Sequence, residues 1–444
     1  VPLRQNRKGK SMFKQDVLIH KTRSHELLSM TDDAKSAFYE LVDPSIAASL
    51  SRDDLLPRVK DALNTISGRK MLPYNRQELA VLGLQLVDEM VGIGPIQPLL
   101  EDPDVSDILV NGPETIYVER RGKLEKTDIR FRDAKHVLNV AQRIVNAIGR
   151  RVDESNPMVD ARLKDGSRVN VIAPPLALHG TCISIRKFPA SKLMLSNLVD
   201  NDSLSEQMAE FLALATYCRC NILISGGTGS GKTTLLNALS RHISEDERIL
   251  TIEDAAELSL AQPHWVPLET RNASTEGNGE VTVRDLVKNA LRMRPDRIVL
   301  GEVRGAEAFD MLQAMNTGHD GSLCTLHANN PQDAIVRLTN MLQMGGERLS
   351  DHIIRSQIVS AIDLVVQLER MRDGRRRITA ISEVVGMKGE QIELSPVFRF
   401  ELTRAEQQNI YGRFTAQSIS PTLLDKAAHF AKEEALRHCV EAPQ

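Results

Sequence analysis

Residues 221–239 constrain the fold more than any other stretch. Asn221-Ile222-Leu223-Ile224-Ser225 is a short apolar run that reads as a buried strand, and Gly226-Gly227-Thr228-Gly229-Ser230-Gly231-Lys232-Thr233 follows it directly. Thr234 to Leu239 then continues as a helix. The eight loop residues satisfy G-x-x-x-x-G-K-[ST] in full, in the strand–loop–helix setting that the pattern requires. Gly226, Gly227, Gly229 and Gly231 let the backbone curl and aim its N–H groups inward. The helix N-terminus behind them adds partial positive charge. Such a loop, from Gly226 to Thr234, cradles the phosphates of a nucleotide. Lys232 is expected to reach the β- and γ-phosphates and the Thr233 hydroxyl to hold Mg²⁺, so ATP and Mg²⁺ are the expected cofactors.

The surroundings fit. From Ser203 onward, strand-like and helical segments alternate, as a mainly parallel α/β sheet demands. Residues 104–188 differ: short strand-like runs at 108–110, 116–118, 129–131, 159–163, 169–173 and 182–188 surround one helical stretch at 133–149. That pattern predicts an α+β module with a mostly antiparallel sheet. Five segments follow: a tail and helical extension (1–74), including a helix capped by Asp32-Asp33; an α+β N-domain (75–188); a polar linker (189–203); the nucleotide domain (204–400); and a polar helical tail (401–444).

Two further strands deliver acids to the end of the sheet where ligands gather. Ile249–Ile252 runs into Glu253, and Arg297–Leu300 runs into Gly301-Glu302. Many P-loop enzymes keep an Asp where Gly301 stands. Glu302 therefore takes a metal-side or water-activating role, with Glu253 favoured as the base. His319 and His327 flank a third strand, and His327, at its end, is a candidate sensor of the γ-phosphate. No zinc site is expected. Cys218 and Cys220 offer two ligands where a structural site wants four, and His319 and His327 make a weak zinc argument.

Charge narrows the partners. The net charge is −3, and aromatic residues make up 4% of the chain. Nucleic-acid binders use basic grooves and stacking rings, so no nucleic acid is expected. Residues 1–25 form a basic run, either a solvated tail or a contact for an acidic face or anionic lipid. No run of about 18 apolar residues and no signal peptide is apparent.

Four ordered blocks together resemble the type II/type IV secretion ATPase superfamily. Ile224–Thr234 resembles its Walker A, Thr251–Leu258 its Asp box, Asn289–Arg304 its Walker B, and Gly318–Asn329 its His box. Asp-Ala-Ala-Glu at 254–257, Arg294-Pro295-Asp296-Arg297 and the lack of paired C-x-x-C motifs resemble the CpaF/TadA-type ATPases of tight-adherence (Tad/Flp) pili. The resemblance implies a RecA-like P-loop C-domain under a PAS-like N-domain. It implies a cytoplasmic homo-hexamer, peripherally associated with the inner membrane and working with pilus platform proteins there. It also implies roles for arginines: Arg162, Arg168 and Arg186 from the N-domain over the nucleotide of their own chain, and Arg292 toward the neighbour's. A two-residue loop at Asp165-Gly166 would set Arg162 and Arg168 on opposite sheet faces, a three-residue loop on the same face.

Overall fold

A computed structural model describes residues 50–70, 75–120, 122–163, 165–187, 193–271, 279–345, 349–406 and 409–441. The helix expected behind Asp32-Asp33 lies outside these residues. The chain divides into two compact units, residues 1–190 and 191–444.

In the first unit, helix α1 (Arg52–Lys70) packs on α2 (Arg76–Met90). Leu55, Val59 and Leu63 meet Leu79, Leu82, Leu86 and Val87 in a small core of their own. Asn75 starts α2 with a capping box: its side chain accepts from the Gln77 and Glu78 amides, and Glu78 returns a bond to the Asn75 amide. The expected boundary at residue 74 thus falls inside a helix pair. A short α3 (Gln97–Glu101) leads into the sheet.

The sheet of this unit has six strands: β1 (Val105–Asn111), β2 (Ile116–Arg120), β3 (Lys123–Lys126), β4 (Met158–Arg162), β5 (Arg168–Ile172) and β6 (Cys182–Arg186). Their order is β3-β2-β1-β6-β5-β4, antiparallel throughout. Helix α4 (Ala134–Asn146) shares a core with the sheet, bringing Val137, Val140, Ala141 and Ile144 to Ile108, Val169, Val171 and Ile185. The strand expected at 129–131 is absent. Phe131 is instead a buried anchor whose amide donates to the Pro113 carbonyl at 2.8 Å. The third strand is the fully exposed Lys123–Lys126, which has no apolar face for a pattern to reveal.

The second unit begins with α5 (Leu195–Asp200), inside the expected linker. Leu195, Leu198 and Val199 share one helical face and join the core, which is why this stretch is ordered structure. Then follow α6 (Glu206–Tyr217), β7 (Ile222–Gly226), α7 (Lys232–Ser240), β8 (Ile249–Glu253) and β9 (Trp265–Glu269). Next come α8 (Val283–Ala290), β10 (Arg297–Leu300), α9 (Glu307–Asn316), β11 (Leu323–Leu326), α10 (Pro331–Met344) and α11 (Asp351–Ala361). The last elements are β12 (Leu364–Arg370), β13 (Arg376–Lys388), β14 (Gln391–Ala405), β15 (Ile410–Ala416), α12 (Pro421–Ala428) and α13 (Glu433–Glu441).

The nine strands are ordered β15-β14-β13-β12-β7-β11-β10-β8-β9. Pairing is parallel from β12 to β9 and antiparallel from β12 to β15. Strands β7, β8, β10 and β11 are buried along their whole length, as parallel strands covered on both faces must be. The result is the mixed α/β fold expected from the sequence. The polar helical tail expected from residue 401 is corrected. Residues 401–405 and 410–416 extend a strand meander, and Leu423, Leu424, Leu436 and Cys439 of α12 and α13 pack into the core. These apolar positions recur at helical spacing but are diluted among charges.

Among the described residues, one charged side chain lies wholly inside. Arg297 opens β10 at 0% exposure. Its guanidinium forks onto Glu247 at 2.7 and 2.9 Å and donates to the carbonyls of Thr216 and Gly321. An added Cβ at Gly321 would stand 2.6 Å from that guanidinium, so only glycine fits there.

Candidate nucleotide-binding site

The glycine loop turns from β7 into α7 with Gly229 at φ 70° and Gly231 at φ 102°, a left-handed region that disfavours side chains. A Cβ on Gly226 would lie 2.5 Å from both the Leu368 carbonyl and Ser230 Oγ. The cradle is therefore made of backbone, as phosphate binding requires. Lys232, at the first turn of α7, is 9% exposed. Its ammonium donates to the carbonyls of Gly226 and Gly227 at 2.9 and 3.1 Å. Gly227 and Thr228 are exposed, and Thr233 and Thr234 are half-buried.

From Lys232 a polar chain crosses the ends of the strands. The ammonium stands 3.4 Å from His327 Nδ1, just beyond the end of β11. His327 Nε2 is 2.7 Å from Glu302 Oε1, just past the end of β10. Glu302 Oε2 accepts from Arg304 at 2.6 Å, and Arg304 also donates to Asp254 at 3.0 Å. The two contacts of His327 assign its proton: Nδ1 faces a donor and Nε2 a carboxylate, so Nε2 carries the hydrogen. Burial, followed by the Lys232 charge, lowers the His327 pKa below the ordinary histidine value, with Glu302 opposing. The ring is neutral at pH 7. Beside Thr228, a cavity of about 310 Å³ is lined by Glu302, Arg304, His327 and Arg337.

Glu253 ends β8, 5% exposed. Its Oε1 accepts from the amides of Glu257 and Leu258 at 2.9 and 3.1 Å, which fixes the loop after β8. Its chain passes directly over Gly301, where a Cβ would stand 2.6 Å from Glu253 Cγ. The missing Asp of β10 is thereby explained: the space it would need is occupied by Glu253.

Other expected site residues stand elsewhere. His319 precedes β11, at the opposite end of that strand from His327, and its ring Nδ1 faces the Ala314 carbonyl at 3.2 Å near the end of α9. A catalytic role for His319 at this phosphate loop is therefore corrected. The eight-residue spacing spans the full length of a strand rather than one site. Arg292 is exposed in the turn between α8 and β10, at the sheet end remote from its own phosphate loop. Arg162, Arg168 and Arg186 belong to the other unit. Arg162 pairs with Arg168 across β4 and β5, and Arg168 with Arg186 across β5 and β6. Leu163 and Ser167 still pair, so the loop has three residues and all three arginines share one face in one row. Val169 and Ile185 are buried on the other face.

Several arginines at the phosphate loop were not anticipated. Arg337 donates to the His327 carbonyl, and Arg376 Nε donates to the Gly229 carbonyl at 2.9 Å. The only signal for Arg376 was the density of arginine around the Asp373-Gly374 turn. Among the described residues no cluster of three or more His, Cys, Asp or Glu could hold a metal ion. A Mg²⁺ ion here would depend on phosphate oxygens besides protein groups, as Mg²⁺ commonly does. Nor is any single described helix long and apolar enough to cross a membrane.

Comparison with known proteins agrees with this geometry. The family described as "Type II/IV secretion system protein" matches residues 89–421. A "Putative conjugal transfer protein" of Mycobacterium tuberculosis is 42% identical over 303 residues, 67% of this chain and 86% of that protein. The type IV secretion system protein VirB11 of Bartonella henselae is 31% identical over 337 residues, covering 67% of this chain and 94% of its own. Among solved structures, the VirB11 ATPase of Brucella suis in complex with sulphate is 30% identical over 65% of this chain and 94% of its own, with TM-score 0.35. The glycine cradle, the carboxylates at the ends of β8 and β10 and the match across three quarters of the sequence place this chain in the type II/IV secretion system ATPase superfamily.

Proposed function

We propose that this chain is an ATP-hydrolysing motor that works as a ring of six copies at the inner membrane and powers assembly of a Tad/Flp-type pilus. One observation carries the enzymatic part. A backbone cradle that excludes side chains leads through Lys232 and His327 to Glu302 within one hydrogen-bonded chain. Lys232 now satisfies its ammonium on loop carbonyls, and phosphate oxygens would compete for it. Thr233 and Glu302 would hold Mg²⁺, which neutralises charge on the transferring phosphoryl group. Glu253 is assigned as the base for the attacking water and His327 as the neutral group that reads the γ-phosphate and reports to Glu302. Arg304 and Arg337 bring positive charge to the same cavity. The row of Arg162, Arg168 and Arg186 is assigned to the nucleotide of its own chain, Arg292 to the neighbour's, and platform proteins in the membrane to the partner surface.

The Tad assignment rests on the Asp-Ala-Ala-Glu and Arg-Pro-Asp-Arg signatures. A second reading, a type IV secretion ATPase, is favoured by the similarity to VirB11 and to the conjugal transfer protein. The test has two parts. Purified protein should hydrolyse ATP, and Lys232→Ala should abolish turnover without unfolding; near-normal hydrolysis by the folded variant would refute the enzymatic reading. A chromosomal Lys232→Ala strain should lose surface pili. Intact pili with lost export of protein or DNA would select the second reading.

A further inference from the structure

Strands β12 and β13 meet in the hairpin Arg370-Met371-Arg372-Asp373-Gly374-Arg375-Arg376-Arg377, which holds five arginines. They divide by what they touch. Arg377 is 3% exposed, pairs with Asp373 at 3.0 Å and lies over the Phe400 ring at 5.3 Å. Arg375 pairs with Asp202, ahead of α6. These two anchor the hairpin. Arg376 and Arg370 turn to the phosphate loop. Arg376 Nε donates to the Gly229 carbonyl, and its Cδ would lie 3.4 Å from a Cβ on Gly231. The Arg370 guanidinium would lie 3.4 Å from a Cβ on Gly229.

The sheet order says which end of a nucleotide they serve. Strand β7 carries the loop, with β11 on one side and β12 on the other. His327 and Glu302, the groups placed for the γ-phosphate, follow β11 and β10 on the first side. A triphosphate lying across the loop with its γ end there sends its α-phosphate and nucleoside toward β12. Guanidinium suits both: it forks onto phosphate oxygens and stacks on the plane of a base.

We propose that Arg370 and Arg376 form the subsite for the nucleoside monophosphate end of the bound nucleotide. This rests on the phosphate-loop reading above. The contacts are common to ATP and ADP and absent from inorganic pyrophosphate, whose two phosphates match only the β and γ positions that the loop and Lys232 would hold.

The experiment measures binding of ADP, a non-hydrolysable ATP analogue and inorganic pyrophosphate to the full chain by calorimetry. Arg370→Ala and Arg376→Ala should each weaken ADP and the ATP analogue by the same factor, about tenfold for one lost charge-assisted contact. Pyrophosphate affinity should be unchanged, and Arg376→Lys should recover part of the loss. Melting curves confirm that each variant folds. Unchanged ADP affinity in the double variant Arg370→Ala/Arg376→Ala overturns the proposal. So does an equal loss for pyrophosphate, which would show that the loop itself had been displaced. Failure of the parent protein to bind ADP would instead refute the nucleotide-binding reading, so the two failures are distinct.

Discussion

Gly301→Ala tests whether the glycine before Glu302 exists to make room for Glu253. The added Cβ would sit 2.6 Å from Glu253 Cγ, 3.3 Å from its Oε1 and 3.4 Å from its Cδ. Non-bonded carbons rest at about 3.5–4.0 Å, so the overlap with Cγ is about 1 Å. Strand β10 cannot retreat to relieve it: all four of its residues are buried, and the Gly301 amide is tied to the Ile252 carbonyl at 2.9 Å. Glu253 must move, and its Oε1 bonds to the Glu257 and Leu258 amides stretch with it. Displacing a catalytic group by 1 Å costs on the order of 10²-fold in rate, and overpacking costs about 1–3 kcal/mol in stability. The assay is steady-state ATP hydrolysis, run beside ATP-analogue binding and a thermal melt. The expected result is turnover down by roughly 10²-fold with nucleotide affinity retained. Glu253→Ala removes the Cγ, so the double variant should be no slower than Glu253→Ala alone. Parental turnover in Gly301→Ala, or independent addition of the two losses, would refute the reasoning.

Three other outcomes are expected. The acid limb of the ATPase pH profile should lie below about 6.5, because the His327 pKa is lowered and the ring must lose its proton to accept from Lys232; His327→Gln should remove that limb, and an unaltered profile would count against this role. Mixing inactive Lys232→Ala with inactive Arg292→Ala protein should restore some ATPase, because mixed interfaces then combine an intact loop with an intact donor, whereas Lys232→Ala mixed with Arg168→Ala should restore none; the opposite pattern reverses the chain assignment. Arg297→Met leaves Glu247 buried without its main partner and should lower stability by about 3–5 kcal/mol in urea titration, with a loss under 1 kcal/mol refuting the account.

The legible parts of this molecule were those in which local chemistry and global position coincide. The phosphate loop could be read because glycine spacing, the preceding apolar run and the following helix all specify one turn. The carboxylates at 253 and 302 could be read because an apolar strand running into an acid marks a strand end. Sequence distance misled at His319, where eight residues separate two ends of one strand. It gave no access to Arg337 or Arg376, whose partners His327 and Gly229 come from other elements. Arg162 and Arg168 turned on one residue of loop length, which the Asp-Gly signal alone leaves open. Strand β3 and the core packing of helix α13 were hidden for a different reason: the strand lacks an apolar face, and the helix spreads a few buried residues among many charges.

The Arg297 cluster gives the nucleotide domain a mechanical asymmetry. One guanidinium fastens four separate stretches: the end of α6 through Thr216, the approach to β8 through Glu247, the start of β10, and the approach to β11 through Gly321. All lie at the sheet end remote from the phosphate loop. Removing one partner of a buried ion pair costs about 3–5 kcal/mol, several times thermal energy, so these four stretches are held together firmly. At the other end, Thr228 after β7 and Glu302 and Arg304 after β10 line the cavity. The domain is thus fastened across its strand starts by buried charge, and across its strand ends by half-exposed polar contacts. Under the proposed ATPase reading, loss of the γ-phosphate is expected to shift the strand-end loops before it shifts the end tied by Arg297.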